Sequence, residues 1–124
     1  ESNFVSFETP KNNSVMFGSL SGTKLGVWVA HGEGKFEFPY EEKEYNIIAK
    51  YNYDGYPANP NGSPWSVAGV CSKDGRHLAM MPHPERAIFP WQCGYYPADR
   101  KENDEVTPWI EAFVNARKWI ENNK

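Results

Sequence analysis

Met80-Met81-Pro82-His83-Pro84-Glu85-Arg86 sets an imidazole and a carboxylate two residues apart, each preceded by a proline. The ring of Pro84 clashes with a helical residue before it, so His83 is expected in extended backbone. In an extended chain, residues i and i+2 point to one side. A carboxylate at that spacing can accept the proton of one ring nitrogen and leave the other free to act as a base. The same residues would also suit a histidine that merely ends a strand, with Glu85 paired to Arg86 or to water. Short motifs of this kind match by accident often.

A base needs a nucleophile to activate. Cys71 sits between Val70 and Ser72 beside a turn and lacks the glycine-flanked elbow that would lift its sulfur above a sheet. It reads as a small half-buried residue. Cys93 lies in an aromatic, proline-containing loop whose environment the sequence does not define. A self-contained cysteine hydrolase would use Cys71 or Cys93 with His83 and Glu85. His31 stands in the turn His31-Gly32-Glu33-Gly34, whose backbone N–H groups could hold a carbonyl or carboxylate. His31, His77 and His83 lack ligand spacing, so no metal is expected.

The elements that must position these groups can be read in order. Phe4, Val5 and Phe7 suggest a first strand, placed at an edge. Val15-Met16-Phe17 resumes an apolar run. Leu25 to Ala30 is an apolar, β-rich run typical of a strand covered on both faces, and it delivers His31. Lys35-Phe36-Glu37-Phe38 alternates like a strand, and Ile47 to Tyr53 makes another. Tyr56 to Pro64 holds three prolines, which excludes helix and inner strand. Val67 to Cys71 and Arg76 to Met81 flank Ser72-Lys73-Asp74-Gly75, a hairpin signal, and the second run delivers His83. Ala87 to Glu105 reads as irregular. The last element is a helix with Thr107 as N-cap and Pro108 at its first position. Trp109, Phe113, Ala116 and Ile120 would form its buried face.

With 124 residues the chain suits one domain. The 13 basic and 16 acidic residues give a net charge of −3 without a basic block, which disfavours nucleic acid as a partner. No apolar run is long enough for a bilayer span and no signal-peptide pattern opens the chain, so no membrane partner is expected. Two cysteines form no disulfide framework, and a cytoplasmic setting is expected. Aromatic residues reach 15%, which suits a ring-rich core or a surface that meets another chain. The non-enzymatic alternative is an aromatic binding module that contacts its ligand through the Tyr56 to Trp65 loop.

Three motifs occur in order: Val29-Ala30-His31-Gly32-Glu33-Gly34, Tyr56-Pro57-Ala58-Asn59-Pro60-Asn61-Gly62-Ser63-Pro64, and Met80 to Arg86. Together with the tail from Thr107 to Trp119 they resemble the class I glutamine amidotransferase domain at the C-terminus of phosphoribosylformylglycinamidine synthases. The resemblance runs over essentially all of residues 1–124. It implies an α/β, flavodoxin-like domain, here partial, with a mixed sheet and a C-terminal helix. It also implies a parent ligase of purine synthesis that uses ATP and Mg and takes ammonia from glutamine. By the same resemblance His83 is the base, Glu85 orients it, and the backbone around Ala30, His31 and Gly32 helps hold glutamine. The family's Gly-x-Cys-x-Gly elbow has no counterpart in these residues. The chain is therefore expected to be a piece of a longer protein, inactive alone, without a cofactor of its own. Its expected partners are glutamine, the remainder of the parent chain, and a second copy of itself.

Overall fold

Alternation builds the first strand, β1 (Ser2–Glu8), with Val5 and Phe7 buried and Phe4 on the other face. The structure is a computed structural model that describes residues 2–30, 35–56, 58–60 and 62–123. Four further strands follow: β2 (Lys24–Ala30), β3 (Asn46–Tyr51), β4 (Val67–Cys71) and β5 (Leu78–Met80). A short helix, α1 (Ala98–Lys101), and a long one, α2 (Ile110–Asn122), complete the chain.

The strands form one sheet in the order β2-β1-β3-β4-β5, and every neighbouring pair is antiparallel. The sheet with its C-terminal helix agrees with the α/β class, while the described strands contain none of the parallel pairs of a mixed sheet. β1 is internal rather than an edge strand, because it pairs with β2 from Ser2 opposite Ala30 to Glu8 opposite Lys24 and with β3 at Phe7 and Glu8. The β4–β5 hairpin turns where Ser72 to Gly75 signal it. Gly75 takes φ +75°, and a Cβ there would lie 2.1 Å from the Asn13 carbonyl oxygen. The turn needs glycine for both reasons.

The core gathers Val5, Phe7, Phe17, Val27, Val29 and Ile48 against the start of the last helix. Trp109 is 1% exposed and meets Phe7 and Phe17 edge-on, with ring centroids 5.2 and 5.9 Å away. Its indole N–H donates to the Gly26 carbonyl at 2.8 Å, which satisfies the polar end of a buried ring.

The apolar run Val15 to Phe17 forms a turn, and Phe17 is fully buried in the core. Two sequence expectations change. Lys35 to Phe38 are irregular: the alternating rings of Phe36 and Phe38 stack on each other at 5.4 Å, and Phe38 stacks on Trp65 at 5.3 Å. The last helix presents Ala112 to the core, while Phe113 and Ile120 are exposed. The helix also starts later than expected: Trp109, not Thr107, is its N-cap and no side chain caps it. The Thr107 hydroxyl holds the preceding turn by accepting from the Trp109 N–H at 3.3 Å and donating to the Ala87 carbonyl at 2.6 Å.

Candidate active site

β5 ends at Met80, and the chain then crosses towards the outer strand of the sheet. The Met81 N–H still donates to the Ala68 carbonyl at 3.0 Å, and the His83 N–H donates to the Trp28 carbonyl at 2.8 Å. His83 and Trp28 form an isolated antiparallel bridge. β2 and the segment after β5, which stand at opposite ends of the strand order, thus meet at one corner. Ala30, the last residue of β2, lies two residues beyond Trp28 at that corner.

His83 has φ −115° and ψ 83°, non-helical as Pro84 requires. Pro84 to Arg86 then make a single 3₁₀ turn with the Arg86 N–H donating to the His83 carbonyl at 3.1 Å. Glu85 therefore reaches the imidazole from a turn rather than along an extended strand. His83 Nδ1 and Glu85 Oε2 are 3.0 Å apart. Among the described residues Nε2 of His83 has no hydrogen-bond partner. With Nδ1–H donated to the carboxylate, Nε2 carries the lone pair and can take a proton from an incoming group. The side chains of His83 and Glu85 are 32% and 52% exposed, so a reactant can reach them.

Neither cysteine hydrogen-bonds to this pair. Cys71 pairs with Leu78 at the far end of β5 from His83, and its sulfur accepts from the Asn46 side-chain amide at 3.0 Å. Burial, aided by the charge of Asp74, pushes its thiol up. Cys93 donates to the Phe89 carbonyl at 3.7 Å, and burial pushes this thiol up as well. Both are held in the protonated, poorly nucleophilic form. The cysteine-hydrolase arrangement is thus not assembled among the described residues. Of the residues expected to hold glutamine, Ala30 is half-buried at the end of its strand, while His31 and Gly32 lie outside the described residues.

The Tyr56 to Trp65 loop is built round Asn59, which is 2% exposed. The Asn59 side chain donates to the Ser63 carbonyl at 3.0 Å and accepts from the Ser63 N–H at 3.1 Å. Tyr56 and Trp65 are both exposed, and Trp65 also packs against Phe38 and Tyr45. The contribution that sequence reasoning missed is that of Trp28. Its carbonyl anchors the His83 backbone, and no local signal announces so distant a backbone partner.

Residues 1–120 match the CobB/CobQ-like glutamine amidotransferase domain. The chain belongs to that family. It is 43% identical over 131 residues to the human phosphoribosylformylglycinamidine synthase and 42% identical over 135 residues to the probable chloroplastic/mitochondrial one of Arabidopsis thaliana. These alignments take in 96% and 98% of the chain but only 10% of each relative, so the chain spans about a tenth of the length of those relatives. The fold matches a structure of PurLQS from Thermotoga maritima with a TM-score of 0.70 at 22% identity, over 97% of this chain and 48% of that one. The amidotransferase domain described here has no helix, among the described residues, that is long and apolar enough to cross a membrane.

Proposed function

We propose that residues 1–124 are part of the glutamine-hydrolysing domain of a phosphoribosylformylglycinamidine synthase. The parent would be a cytoplasmic, ATP- and Mg-dependent ligase that converts formylglycinamide ribonucleotide to its amidine with ammonia from glutamine. The observation that carries this reading is the His83 Nδ1 to Glu85 Oε2 contact of 3.0 Å with Nε2 left free.

In the proposed chemistry Nε2 takes the proton of a cysteine thiol supplied by the remainder of the parent. The thiolate attacks the glutamine amide carbon. The imidazolium then returns the proton to the departing nitrogen, which leaves as ammonia and a thioester behind it. Glu85 steadies the imidazolium and fixes its tautomer. The backbone around Ala30, His31 and Gly32 helps hold glutamine. ATP and Mg would act in the synthase domains, and glutamine and the rest of the parent chain are the partners this reading assigns.

The test is His83→Ala in the full-length enzyme, assayed with glutamine and with added ammonium salt. Glutamine-dependent turnover should fall by a factor of about 10³ or more, while ammonia-dependent turnover stays within about twofold. Equal loss with both nitrogen donors would remove His83 from the proposed role.

A further inference from the structure

The outer edge of β2 carries a donor that the active-site corner does not use. In an antiparallel strand the N–H and C=O of one residue point the same way, and residues alternate. Along β2 the residues facing away from β1 include Gly26 and Trp28: the Gly26 carbonyl accepts from the Trp109 indole and the Trp28 carbonyl from the His83 N–H. The Gly26 N–H points outward with them, and no described group accepts from it.

That N–H borders a cleft of about 280 Å³ between β2 and the segment from Cys93 to Trp109. The walls are largely apolar: Phe4, Leu25, Tyr95, Pro97, Pro108 and Trp109 line it. Its volume lies near the lower end of the range for small-molecule sites, roughly 300–1,000 Å³. Charge at the rim is one-sided. The Arg100 Nε is bound to the Asp104 carboxylate at 3.1 Å, and that carboxylate also accepts from the Tyr96 hydroxyl at 2.5 Å, so this trio is close to neutral. The Tyr96 phenol is pushed up to about 12, first by burial and then by its bond to Asp104, and adds no negative charge. Lys24 remains. Glu8 stands opposite it in the strand register, yet among the described residues no carboxylate lies within ion-pair distance of its ammonium.

We propose that this cleft binds a small monoanion with a flat apolar body, an aryl carboxylate being the simplest member. The carboxylate takes the Gly26 N–H and the Lys24 ammonium, and the ring lies between Phe4, Tyr95 and Trp109. A neutral ring would gain the walls but leave the donor and the cation without an acceptor. An organic cation would meet Lys24 at the mouth. The site is separate from His83 and stands or falls independently of the role proposed for that residue.

The test is a titration of the ¹⁵N-labelled chain with 2-naphthoate and, in parallel, with the uncharged 2-naphthamide. Saturable shifts are expected at the Gly26 amide, the Cys93 amide and the Trp109 indole N–H. Naphthoate should bind roughly fivefold more tightly than the amide, and Lys24→Gln should remove that preference. Lys24 is exposed at the start of its strand, so this variant keeps the fold, and unchanged shifts at the Phe7 and Val27 amides verify it. Equal affinity for acid and amide, a preference that survives Lys24→Gln, or shifts confined to other surfaces would overturn the proposal.

Discussion

Gly26→Ala tests how tightly the sheet face around the active-site corner is filled. A Cβ at position 26 would lie 2.4 Å from Cε2 and 2.6 Å from Cζ of Phe4. The ring has little room to retreat. On its other side the Gly94 backbone is so close that a Cβ there would meet Cβ and Cγ of Phe4 at 2.8 Å, and Trp28 stands edge-on with centroids 5.0 Å apart. Relief requires an off-rotamer Phe4, at about 0.5–1.5 kcal/mol, or a shift of the strand. Overpacking of this kind costs about 1–3 kcal/mol, and we take about 2. That is a large part of the roughly 5–15 kcal/mol that holds a domain together. Urea denaturation of the wild type, Gly26→Ala, Phe4→Ala and the double variant measures it. With Phe4 shortened the new methyl meets no ring, and the cost of Gly26→Ala should fall to near zero. The coupling between the two sites is then about 2 kcal/mol. A cost for Gly26→Ala that persists within about 0.5 kcal/mol in the Phe4→Ala background would refute the steric account.

Three further outcomes are expected. Tyr96 is raised from 10.0 to about 12 in the folded chain, so its contribution to stability is complete below pH 10 and is lost as the pH rises towards 12. Phenolate absorbance should show one late-titrating tyrosine that disappears in Tyr96→Phe, and a wild-type curve without it would discard the Asp104 contact. Phe113, Val114 and Ile120 leave an apolar stripe exposed on α2, and the isolated chain should self-associate through it rather than through the buried Trp109. Light scattering should give more than one copy, and Ile120→Lys should shift the equilibrium towards monomer. An assay for glutamate release should find no glutaminase activity in the isolated chain, because neither Cys71 nor Cys93 hydrogen-bonds to the proposed base and burial pushes both thiols up.

What could be read from the sequence divides by the range of the interactions. The β4–β5 hairpin and the non-helical His83 follow from turn residues and a proline within a few positions, and both are found as expected. The helix was legible but its facing was not. Trp109, Ala112, Ala116 and Trp119 satisfy helical spacing as well as Trp109, Phe113, Ala116 and Ile120 do. Only packing against the sheet chooses between them. Lys35 to Phe38 alternate like a strand, yet their rings stack with each other and with Trp65, a partner far along the chain. The His83–Glu85 contact was anticipated from spacing, but the backbone that makes it is a 3₁₀ turn. The hold of the Trp28 carbonyl on His83 had no local sign at all.

The Trp28–His83 bridge has a dynamic consequence. One backbone hydrogen bond of 2.8 Å stitches the segment after β5 to the outer strand, whereas β1 and β2 are zipped along seven residue pairs. Opening that stitch breaks one backbone hydrogen bond beside the buried Pro82, Pro84 and Ala87, so it should still cost less free energy than unzipping β1 from β2 along its whole length. The His83 amide should then exchange its hydrogen through local fluctuation, while the Val27 amide waits for global unfolding. The imidazole is thereby carried on a segment that a single backbone hydrogen bond ties to the outer strand, with Glu85 fixing the ring at 3.0 Å.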